Sequence, residues 1–208
     1  MKETAMLSAH AIAQLHGRLT REWHQPGSAS PASTPDFLAR VARQHRANFD
    51  LWHIEDEARI PGSTDANLAQ VKRRVDATNQ LRNDLAEELD RALLEFLAAQ
   101  QLPNPAAPLH SESPGLMIDR LSILALKIFH TREEAQRPGA PAGHAERNRS
   151  RLTILEEQRD DLTACLDALW TETLSGSRRF KLYRQLKMYN DPTLNPAVYR
   201  NPPFNPTR

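Results

Sequence analysis

Apolar residues recur at three- and four-residue steps over Leu68, Val71 and Val75 and again over Leu85, Leu89, Leu93 and Phe96, with Asn79 and Arg82 interrupting the stripe between them. That period marks one face of an α-helix, and no alternating pattern typical of a half-buried strand survives anywhere in the chain. The stripe predicts one helix starting after Ser63-Thr64-Asp65 and running to about Ala99. At about 1.5 Å per residue it is roughly 50 Å long. A rod of that length buries its apolar side only against other long elements.

The chain supplies such partners. Leu7, Ile12, Leu15, Leu19 and Trp23 predict a helix over residues 4–24. Pro26 to Thr34 is a linker by composition, ending in a helix start: Thr34 as cap, Pro35 at the first helical position, Asp36 in the first turn. The second helix is expected over 35–59, stopped by Pro61-Gly62. After the extended connector of Pro103, Pro105 and Pro108, Ser113-Pro114-Gly115 opens a fourth helix over about 116–135. Ile118, Leu121, Ile123, Leu124, Ala125, Leu126 and Ile128 make it apolar on most sides, which predicts a central place. A fifth helix is expected over 145–174 and a short basic one over 178–188, docked through Phe180, Leu182 and Leu186.

The predicted fold is therefore all-α: a bundle of about four long helices, an N-terminal helix, and a short basic C-terminal helix with an irregular tail. The expected division is 1–34 for the first helix and linker, 35–190 for the bundle, and 191–208 for the Pro/Asn-rich tail.

Composition narrows the function classes. Across 208 residues, Lys plus Arg is 27 and Asp plus Glu is 26, so there is no global pull toward nucleic acid or an anionic surface. The basic run Arg178 to Tyr189 is read as a docking element rather than an RNA site, and nucleic acid is not an expected partner. No run approaches the roughly 20 apolar residues of a membrane span, and no apolar leader core follows Met1, so a cytoplasmic location is expected. The lone cysteine, Cys165, is expected to be a small buried hydrophobe.

Function points to the stretch His45 to Asp90. On the second helix the inward stripe continues through His45, Asn48, Phe49, Trp52, Glu55, Asp56 and Arg59. On the third, Lys72, Asn79, Arg82, Asn83 and Asp90 occupy corresponding positions. Burying such groups unpaired costs several kcal/mol each, so they must pair across the helices or line a wet cavity. Two chemistries fit. In one, Glu55, Asp56, Asp84 and Glu87 hold Mg²⁺ through hard oxygen ligands while Lys72 and Arg82 face a phosphate. In the other no metal binds; Arg59, Arg82 and Arg120 hold an anionic sugar or phosphate, with His45, or less favourably His53, as the acid–base group. A zinc site is not expected, since His45 and His53 are eight positions apart and no HExxH or cysteine cluster exists.

Four blocks are distinctive: Asn48 to Arg59; Lys72-Arg73-Arg74-Val75-Asp76 with Asn79 to Asp84; Ser113-Pro114-Gly115 with Ile118 to Leu124; and Lys187 to Pro196. Together they resemble the bacterial family catalogued as domain of unknown function 4254, over roughly residues 35–200. The resemblance implies a helical cytoplasmic protein, often encoded near cell-envelope glycosyltransferases. Two functions are therefore expected to compete. One is a polar intra-bundle site that binds or acts on a phosphorylated or nucleotide-linked small molecule. The other is a non-catalytic adaptor that forms a homodimer or docks on a glycosyltransferase.

Overall fold

Among the described residues five helices, α1 (Ala9–Trp23), α2 (Phe37–Glu57), α3 (Asp65–Ala98), α4 (Pro114–Gln136) and α5 (His144–Leu174), make an all-α fold. The computed structural model describes residues 7–26, 37–186, 193–196 and 200. The linker with its Thr34-Pro35-Asp36 start, and the Lys187 to Pro192 part of the tail, lie outside the described residues.

α4 packs against each of the other four helices, the place its nearly all-round apolar surface predicts. Met117, Ile118, Leu121 and Leu126 are buried there against Ile12 and Leu19 of α1, Val41 of α2, Leu89 and Leu93 of α3, and Leu166 and Trp170 of α5. Cross-links give the directions. Arg40 meets Glu88 and Arg74 meets Glu57, so α2 and α3 run antiparallel. Arg132 meets Glu156 and Glu134 meets His144, making α4 and α5 a second antiparallel pair. Gln44 meets Asp119 while Trp52 stacks on His130, so α2 and α4 run parallel.

Two helix starts are capped by carboxylates from other helices. The backbone N–H of Ala9 donates to Asp167 of α5 at 2.8 Å. At α4 the N-cap is Ser113, whose hydroxyl donates to Asp90 of α3, while the Gly115 N–H donates to the same carboxylate at 2.6 Å. Each carboxylate satisfies N–H groups that have no partner within their own helix and sits at the positive end of the helix dipole. Burial nevertheless pushes Asp90 up to about 6. Gly115 permits the approach, because a Cβ there would stand 2.3 Å from the Ala86 carbonyl oxygen.

Two expectations are corrected. Residues 178–186 form no helix; they run as an extended strap over the 107–110 connector. His110 donates its N–H to the Arg179 carbonyl at 2.7 Å, and the Arg179 N–H returns a bond to Pro108 at 3.1 Å. Phe180 is buried as expected, whereas Leu186 is 82% exposed. The turn at Ser175-Gly176-Ser177 explains the change: Gly176 takes φ +74° and the Ser177 N–H closes on the Glu172 carbonyl, which ends α5 and releases the chain extended. Cys165 is exposed. Leu162, Leu166 and Leu169 hold the buried arc, and Cys165 falls about 40° beyond its edge at about 100° per residue.

Candidate functional site

The C-terminal half of α2 and the middles of α3 and α4 border a hollow of about 460 Å³. Asn48, Leu51, Trp52, Glu55, Asp56 and Arg59 line it from α2 and its end, Arg82 from α3, and Ile123 and Leu126 from α4. The three- and four-residue steps of the α2 set stack these side chains on one helix face.

Behind the hollow lies a buried hydrogen-bond network. Asp119 of α4 accepts from Gln44 Nε2 at 2.5 Å and Asn48 Nδ2 at 2.9 Å, and pairs with Arg82 Nη1 at 3.4 Å. Burial raises the Asp119 carboxyl above its usual range, opposed by the Arg82 charge and the two amide donors. Asn48 Nδ2 also reaches Ser122 Oγ at 2.9 Å, and Ser122 Oγ lies 2.7 Å from His45 Nδ1. His45 Nε2 is 2.9 Å from Thr20 Oγ1, whose hydroxyl also donates to the His16 carbonyl. One polar chain thus ties α1, α2, α3 and α4 together. Burial lowers His45 to about 3, so its ring is neutral at physiological pH. It is fully buried between His16 and Trp23, and in that place it orients Ser122 and Thr20.

Arg82 is the least satisfied member. Its side chain is 22% exposed, its contacts to Asp119 and Asn83 are both 3.4 Å, and its Nε is buried without a partner. The neighbouring Asn83 Nδ2, also buried, has none either. Arg59 lies at the opposite end of the wall, where Nη1 caps α2 by donating to the Glu55 carbonyl at 2.6 Å and the guanidinium pairs with Glu55 and Asp56 at 3.3 and 3.7 Å.

The sequence-predicted residues therefore divide. Asn48, Trp52, Glu55, Asp56, Arg59 and Arg82 meet in the hollow. His45 stands behind it through Ser122 and Asn48, and Asn79 is half-buried on α3. Lys72 is exposed and paired within α3 to Asp76, Asp84 is exposed and accepts from Gln80, and Arg120 is exposed and paired with Glu112 at 2.8 Å. Glu87 accepts from the Gln185 N–H. The carboxylate set expected for Mg²⁺ is thus not assembled: Asp84 and Glu87 are committed away from Glu55 and Asp56. Asp119, Gln44 and Ser122 are not among the sequence-predicted site residues. The available signal was Asp119 itself, an acid inside the most apolar helix; Arg120, one residue on, points about 100° away.

Fold and geometry define a class: an all-α helical protein with a mixed-charge hollow walled by three of its helices. A family model described as "Protein of unknown function (DUF4254)" matches residues 38–182, and the chain belongs to that family. No match was found among curated proteins or solved structures.

Proposed function

We propose that the hollow binds a phosphorylated or nucleotide-linked small molecule. Arg82 and Arg59 take the anionic group, Glu55 and Asp56 accept from sugar hydroxyls, and Trp52 offers a flat apolar wall for a ring. The observation that carries this reading is Arg82, which lines the hollow with its Nε left without an acceptor and its remaining contacts at 3.4 Å. A buried unpartnered donor costs about 1–3 kcal/mol, and the oxygens of a phosphate relieve it. The hollow's 460 Å³ lies within the usual size of small-molecule sites. With His45 neutral and enclosed, binding is a better-supported role for this site than proton transfer. The proposed setting, bacterial cell-envelope glycan synthesis, comes from the family resemblance and selects the first ligands to try.

Thermal-shift and calorimetric titration with sugar phosphates, nucleotides and nucleotide sugars tests the reading. A ligand that raises Tm in the wild type and loses at least about tenfold in affinity in Arg82→Met supports it. If none of these ligands moves the wild-type Tm, the reading fails.

A second reading, docking on a partner chain, has one observation in its favour. The α2–α3 turn and the outer part of α3 carry Ile60, Leu68 and Leu81 at 58%, 38% and 51% exposure. Light scattering that shows a homodimer, abolished by Leu81→Lys, would move the balance toward that function.

A further inference from the structure

We propose that His24, His53 and His130 form a three-histidine site for a borderline divalent transition-metal ion, with Zn²⁺ as the natural probe. The three side chains come from the end of α1, from α2 and from α4, and their ligand atoms lie within 4.8 Å of one another. Nε2 of all three rings is buried and has no hydrogen-bond partner.

The outer hydrogen bonds set the tautomers. His24 Nδ1 lies 2.7 Å from the Thr20 carbonyl oxygen. A carbonyl only accepts, so Nδ1 carries the proton and the neutral ring keeps its lone pair on Nε2. His130 Nδ1 lies 3.0 Å from a Glu133 carboxylate oxygen, and the same argument places the proton of the neutral ring on Nδ1 and its lone pair on Nε2. Metal-bound histidines are held in just this way, the second nitrogen donating to a carbonyl or a carboxylate. Phe129 stacks on His24 at 4.2 Å, Trp52 on His130 at 5.0 Å, and Phe49 meets His24 and His53 edge-on, so the rings are fixed by an apolar shell.

Without a cation the arrangement is unfavourable. Three buried ring nitrogens are left without partners where the ligand atoms of the three histidines come within 4.8 Å of one another. A divalent ion would give all three buried nitrogens a partner at once. Zn–N bonds of about 2.0–2.1 Å ask the rings to close by roughly an ångström. Three neutral imidazoles leave a fourth position for water or an anion. Only Trp52 is shared with the lining of the ligand hollow, so this proposal stands independently of that reading.

Zn²⁺ titration of the metal-free full-length protein by calorimetry tests it. The expected result is saturable binding of one ion per chain and, at about a hundredfold excess over Kd, a Tm rise of roughly 5–10 °C. His130→Phe and His24→Asn, which keep ring stacking or polarity, are each expected to weaken binding at least about tenfold, whereas His10→Ala leaves it unchanged. Imidazole ¹⁵N spectra of the wild type need no variant, so they decide the matter even if a substituted chain fails to fold. Zn²⁺ must shift three Nε2 signals together. Absence of saturable binding in the wild type overturns the proposal, as does an ion whose spectral footprint falls on other histidines.

Discussion

At the scale of single residues, buried polar groups here matter through what they keep satisfied. His45 shows the sign of the effect. Its folded value of about 3 lies below the ordinary 6.5, so the unfolded chain takes up a proton that the fold refuses. The stability it contributes is present above pH 6.5 and is lost as pH falls toward 3, up to about 5 kcal/mol in all. His45→Gln should therefore be less stable than the wild type at pH 8, with the gap closing on acidification; Tm against pH for the two proteins measures it. Arg82 behaves differently. It is underpaired, so Arg82→Met should remove anion affinity, and because it takes a cation from buried Asp119 it should also cost about 1–3 kcal/mol of stability. A large fall in Tm with affinity intact would contradict this assignment.

At the scale of elements, the α3–α4 junction depends on Asp90 and Gly115. Gly115→Ala forces a Cβ into the Ala86 carbonyl and should cost roughly 1–3 kcal/mol, read as a lowered midpoint in denaturant. The raised Asp90 runs opposite to His45. Its folded value, about 6, exceeds the ordinary 3.8, so the fold binds the extra proton. That contribution is full below pH 3.8 and is lost as pH rises through 6, about 3 kcal/mol at most. Asp90→Asn should accordingly gain on the wild type between pH 4 and pH 7, and an unchanging difference across that range would refute the burial argument. The surface pairs that align α2 with α3, such as Arg74 with Glu57, contribute little by comparison because both partners are exposed.

At the scale of the whole molecule, α4 and the C-terminal strap close the core. Phe180 is 1% exposed although its neighbours Lys181, Tyr183 and Arg184 face outward, so one aromatic ring pins the strap to the bundle. Phe180→Ala should cost about 3–5 kcal/mol, a fall that calorimetry detects easily, with helicity by circular dichroism unchanged at low temperature.

Five helices, their stops and the central place of α4 could be read from the chain alone, because a 3.6-residue period and Pro/Gly punctuation are local properties. The hollow was partly legible for the same reason: Asn48, Trp52, Glu55, Asp56 and Arg59 share one face whatever that face meets. Tertiary structure decided the rest. It selected Asp119 over Arg120, because one residue of helix rotation turns a side chain from a neighbour to solvent, and Arg82 over Lys72, which stands ten residues away along α3. It laid 178–186 out as a strap, since backbone partners at Pro108 and His110 outweigh a weak helical pattern. It also brought His24, His53 and His130 together. No spacing along one helix encodes that meeting, which depends on how three helices pack.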